Sequence, residues 1–171
     1  MKLFLSRLVC FEIIRDHYNT FYNDQSQSKS WGEILILLIL VIIFSILCTI
    51  INCLNMKTIE LMLTAISILS GFLISALFLL VDKTSHQSGK DFQIITETMH
   101  NISFGILIGL YIIVFSFIAL LAKNSSLNAI LSIQSPIYIF ASFIYFFLVF
   151  LFFHTIFMII QRINKIFIEI L

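Results

Sequence analysis

The side chains able to do chemistry in this 171-residue chain are few and scattered. Its histidines are His17, His86, His100 and His154, and only Glu97 and His100 stand one helical turn apart. A metal centre needs clustered ligands, so no metal site is expected. Membrane disulfide oxidoreductases of this size use a Cys-x-x-Cys pair backed by a second pair. Here Cys48 and Cys53 are five positions apart on a helix, about 140° around its axis. Cys10 lies far from both and there is no fourth cysteine, so a reduced, packing role is expected. The chain holds neither a glycine-rich phosphate loop nor a G-x-S-x-G elbow. No catalytic residue and no cofactor site emerge, and the chain reads as a non-enzymatic protein.

Two further groups carry polar chemistry inside apolar sequence. His154 is the one ionisable residue within a long apolar run, and such residues are functional suspects by default. It shares a helical face with Phe143, Phe147, Phe150 and Phe157, and a neutral imidazole hydrogen-bonded to a neighbouring helix is expected. Gly105 and Gly109 form a small-xxx-small pattern, and Ser67, Gly71 and Ser75 form a second stripe on the preceding run. Such stripes let helix backbones approach closely. The preferred reading packs the two stripes against each other within one subunit; the alternative puts one of them at a subunit interface. Glu60, at the mouth of its run, reads as a capping charge.

The elements that carry these residues follow from composition. Sixty percent of the chain is hydrophobic and 11% charged, against about 45–50% and about 25% in soluble domains. Mean hydropathy is +1.09. A bilayer core about 30 Å thick takes about 20 apolar residues in a helix. Four runs meet that need: Ile34–Leu54, Leu61–Val81, Ile102–Ala122 and Ile137–Ile160, none with an Asp, Glu, Lys or Arg. The expected fold is an all-α membrane protein of four transmembrane helices. Four crossings place both termini and the middle loop on one side. That side holds Lys2, Arg7, Arg15, Lys29, Lys83, Lys90, Arg162 and Lys165, and the other only Lys57 and Lys123. The positive-inside rule makes the richer side cytoplasmic, in a multi-pass inner-membrane protein with N and C termini inside. A net charge of +1 gives no field to recruit nucleic acid, so no direct nucleic-acid binding is expected.

Residues 1–30 form the cytoplasmic leader of the 31–171 transmembrane domain. Phe4, Leu8, Phe11, Ile14, Tyr18 and Phe21 recur at steps of three and four, which predicts an amphipathic helix on the inner membrane face or against a partner. Asn23–Ser30 is a polar linker. The middle loop, residues 82–101, is broken at Ser88–Gly89–Lys90, and Asp91 is placed to cap a helix from Phe92 to Ala122. Ser135–Pro136 reads as a cap and first turn for the last helix. An apolar stripe in the tail, residues 161–171, extends that helix. Since the outward connections are small, the working surface faces inward. Its partner-facing candidates are Arg7, Arg15, Lys83, Lys90, Glu97, His100, Arg162 and Lys165.

The leader RLVCFEIIRDHYNTFY, with ISILSGFLISALFLLVD and TMHNISFGILIGLYII around the middle loop, resembles the membrane subunits of Kiwa anti-phage systems. These are small four-span proteins of bacterial defence islands. The resemblance implies a non-enzymatic membrane sensor and scaffold that assembles as a homo-oligomer, a tetramer by family expectation. It also implies a cytoplasmic protein partner that acts on DNA, and it carries no functional residue onto this sequence. The expected function is therefore a defence sensor or scaffold holding a cytoplasmic effector at the membrane, in contact with lipid. The alternative is an oligomeric channel or depolarising effector, with Thr64, Ser67, Ser70, Ser75 and the two glycines lining a narrow pore.

Overall fold

A computed structural model describes residues 9–19, 22–23, 28–29, 31–51, 55–84, 90–123 and 136–170. Five helices stand among them: α1 (Val9–Asn19), α2 (Trp31–Ile50), α3 (Met56–Thr84), α4 (Lys90–Lys123) and α5 (Pro136–Ile170). A small antiparallel pair, β1 (Tyr22–Asn23) and β2 (Ser28–Lys29), folds the polar linker back with Tyr22 opposite Lys29 and Asn23 opposite Ser28. The described residues are otherwise all-α.

Three helices hold stretches long and apolar enough to cross a membrane: Met56–Asp82, Ile94–Leu121 and Pro136–Asn164. A shorter apolar helix, Leu35–Ile50, accompanies them. The chain is thus a multi-pass membrane protein by helix length and hydropathy. The helices outrun the apolar runs that define them. Asn55, not Glu60, caps α3: the Thr58 N–H donates to Asn55 Oδ1 at 2.9 Å. Glu60 consequently stands in the second turn, and the helix opens five residues before Leu61. Asp91 lies inside α4, which begins at Lys90, so it is not the expected N-cap. Most of the expected 82–101 loop is therefore helix, since α3 runs to Thr84 and α4 starts six positions later. Pro136 opens α5 at a position where its missing N–H costs nothing, and that helix continues unbroken through the tail. Residues 52–54, the end of the first expected run, lie outside the described residues, as does Ser135.

α4 is the central element, packed on α3, α5 and α1. Its buried face repeats at three and four: Ile95, Thr98, Asn101, Ile102, Ile108, Ile112 and Ser116. Opposite it α3 presents Ile59, Ile66, Ser70 and Leu73, and α5 presents Tyr145, Val149, Phe152 and Ile159. α2 leans chiefly on the far side of α5, with the Phe44 and Phe150 rings 5.6 Å apart. The remaining surface is a band of large apolar side chains, among them Phe72, Phe78, Phe140 and Phe157, each more than 60% exposed. A water-soluble monomer does not carry such a band; a lipid-facing bundle does.

The two glycines make the close approach expected of them. A Cβ on Gly109 would stand 2.4 Å from Ser70 Oγ and 3.1 Å from Phe152 Cε2, and one on Gly105 would meet Leu73 Cδ1 at 3.1 Å. The partner stripe is not the expected one. Ser67, Gly71 and Ser75 are exposed on the opposite face of α3, and a Cβ on Gly71 would meet nothing within 4 Å. The Ser67 and Ser75 hydroxyls donate to the carbonyls of Leu63 and Gly71 one turn back. Ser70 parts company with them and is buried.

Candidate functional site

The charged and histidine side chains that pair across helices gather at one end of the bundle, where α1 docks; a separate buried pair, Ser116 Oγ to Tyr145 Oη at 3.2 Å, joins α4 to α5 towards the other end. The apolar spacing of the leader is only partly the docked face. Phe11 is 58% exposed, whereas Ile13, Ile14 and Tyr18 are half-buried and His17 is fully covered. Those four positions lie one turn apart in pairs, so they share one side of α1. The expected surface, membrane or partner, is in fact α4 of the same chain.

His17 fixes the docking. Its ring stacks on Phe104, centroids 3.8 Å apart at 12°, and Nδ1 is 2.7 Å from Asn101 Oδ1. A carbonyl oxygen only accepts, so Nδ1 carries the proton in this bond. Asn101 and Phe104 are three apart on α4, which places both under one side chain. Burial pushes the His17 pKa down from 6.5 to about 4; the Asn101 bond opposes that shift, and the nearby His154 and Arg162 add to it.

Three contacts between ionisable side chains surround this seat. His100 Nδ1 stands 3.9 Å from Asp16 Oδ2 on α1, and Arg15 lies 3.3 Å from the same carboxylate. One turn further along, Glu97 of α4 pairs with Arg162 of α5. Of the expected partner-facing residues, Glu97 and Arg162 are therefore turned towards each other rather than outward. His100 is held near the leader, and Arg15 remains exposed. Arg7 lies outside the described residues, and Lys83, Lys90 and Lys165 are described as helix positions alone.

His154 has a different setting from the one expected. It makes no hydrogen bond among the described residues and instead borders a half-open crevice of about 40 Å³. His17 and Tyr18 of α1 floor this crevice, Leu37, Leu38 and Val41 of α2 form one wall, and Phe147 and Leu151 of α5 join His154 in the other. The Phe face of α5 thus looks towards α2 and the leader, while its Tyr145–Phe152 side meets α4. Phe157 points outward.

The site offers no nucleophile with an adjacent base, and no group of three metal-ligating side chains occurs among the described residues. Cys48 is a half-buried thiol packed against the core; the Cys10 side chain and Cys53 lie outside the described residues. What the arrangement does is bind: it clamps a short helix and leaves an imidazole facing an apolar crevice. Sequence reasoning missed His17 and Asn101. The available signal was that His17 falls at the same helical step as Ile13 and Ile14, and that Asn101 adjoins an otherwise apolar run.

No family model, no curated protein and no solved structure matches this chain.

Proposed function

We propose that the chain is a non-enzymatic, oligomeric scaffold of the bacterial inner membrane, with four crossings and both termini in the cytoplasm. It holds a cytoplasmic effector protein at the membrane as part of an anti-phage defence, and the effector, not this chain, acts on DNA. The observation that carries this reading is the one-sided placement of the charged and histidine pairs between helices. The Asp16–His100, His17–Asn101 and Glu97–Arg162 contacts all sit at the end richer in basic residues. The resemblance to Kiwa membrane subunits supports the defence setting, and the shorter apolar helix α2 supplies the first crossing. Co-purification in mild detergent from a host expressing the native operon tests it. A stable cytoplasmic partner is expected, lost when residues 1–30 are deleted. Recovery of the chain alone, with full function in the deletion, overturns it.

A second reading rests on a specific observation: Thr64, Ser67, Gly71 and Ser75 line an exposed face of α3 opposite the core. Several copies meeting along that face would enclose a narrow polar path, a channel or depolarising effector. Single-channel conductance in planar bilayers separates the two readings, since the scaffold is electrically silent.

A further inference from the structure

The crevice between α2 and α5 presents a chemical demand that the described residues do not meet. His154 lies within the apolar stretch of α5, where an imidazole nitrogen left without a hydrogen bond is costly. Among the described residues nothing bonds to it, and it borders the crevice together with a second imidazole, His17. We infer that this crevice is a binding site for a chain-bearing, uncharged amphiphile whose carbonyl head accepts a hydrogen bond from His154.

Three features select that class. The first is charge: no carboxylate, lysine or arginine borders the crevice among the described residues, and burial keeps His17 neutral there against the opposing pull of the Asn101 bond. A charged head would therefore enter without a counter-ion. The second is size, since about 40 Å³ has room for about three water-sized groups. That suits a carbonyl and its neighbouring atoms rather than a bulky phosphate-bearing head. The third is the wall. Leu37, Leu38 and Val41 on one side and Phe147 and Leu151 on the other give an apolar track leading away from the imidazoles. Because Leu38 is partly exposed at the surface, the track opens laterally, where α2 touches little besides α5. Such a track favours a hydrocarbon chain over a polar group.

Two membrane sources carry such a carbonyl: the ester of a glycerolipid and the ring of an isoprenoid quinone. The full chain is purified in mild detergent without added lipid, and the amphiphile retained per mole of protein is extracted and measured by mass spectrometry. A near-stoichiometric amphiphile is expected. His154→Phe removes the donor and should lower retention about tenfold, equivalent to about 1.4 kcal/mol. Leu38→Trp fills the track from its exposed side and should also abolish retention, with thermal unfolding unchanged. A redox-dependent ultraviolet difference spectrum identifies the quinone arm, and an infrared ester carbonyl band identifies the glycerolipid arm. Wild-type protein that retains no chain-bearing amphiphile overturns the proposal. So does equal retention by wild type and Leu38→Trp, and full retention by His154→Phe overturns the hydrogen bond at the head.

Discussion

Gly109 and Gly71 are chemically identical residues on neighbouring helices, yet they respond to a methyl group in opposite ways. The methyl of Gly109→Ala would collide with Ser70, a short side chain with little room to retreat, and with the Phe152 ring. That overpacking should cost about 1–3 kcal/mol. Gly71→Ala meets nothing within 4 Å and should leave unfolding unchanged or slightly improved. Reversible unfolding in mixed SDS micelles measures both. His17 supplies a pH test. Its pKa is about 4 when docked and 6.5 otherwise, so the undocked leader binds protons more readily. Docking therefore has its full advantage above pH 6.5 and loses it as pH falls towards 4, by roughly 3 kcal/mol in total. Amide protection factors over residues 9–19, corrected for the slower intrinsic exchange at low pH, should fall across that window, and His17→Gln should flatten the dependence. At this scale the sequence was uneven. The close approach at Gly105 and Gly109 was legible because the absence of a side chain is itself the signal. The burial of His17 was not, because its partner Asn101 is 84 positions away.

Elements were the most legible level, since apolar runs of this length admit little besides helices. Their ends were less so. Hydropathy marks the apolar runs, whereas α3, α4 and α5 continue beyond them for one or more turns, with a cap and side-chain pairs there. The face that α3 turns to α4 was also hidden. A helix in lipid is apolar all round, so periodicity does not distinguish the Ile59–Ile66–Leu73 side from its opposite. At the projecting ends, Glu97 and Arg162 tie α4 to α5 with side chains 29% and 17% exposed. Removing one partner should cost between the ~1 kcal/mol of an exposed pair and the ~3 kcal/mol of a buried one. Glu97→Arg combined with Arg162→Glu should recover most of the loss from either single change in the same SDS assay.

For the whole molecule, the sequence conveyed that the chain belongs in a membrane and how many apolar runs it holds, but not that its leader folds onto its own bundle. An amphipathic stripe shows that a helix has somewhere to go without saying where. The outward stripe Ser67–Gly71–Ser75 bears on assembly. If copies meet there, as the proposed oligomer requires, Gly71→Ile should shift native mass spectra from oligomer to monomer while leaving monomer unfolding near wild type. An unchanged oligomer would place the contact elsewhere. The β1–β2 pair has a consequence of its own. Residues 20–30 join α1 to α2 and, even fully drawn out, reach at most about 40 Å; the Tyr22–Lys29 pairing shortens them further. An undocked α1 is thus kept on a leash, at an effective local concentration in roughly the millimolar range. A competing helix from another molecule, at ordinary cellular abundance, would need a far higher intrinsic affinity for the Asn101–Phe104 seat than α1 has. The seat is insulated from casual rivals, and a signal that acts through it does so most efficiently by loosening the tethered helix rather than by displacing it.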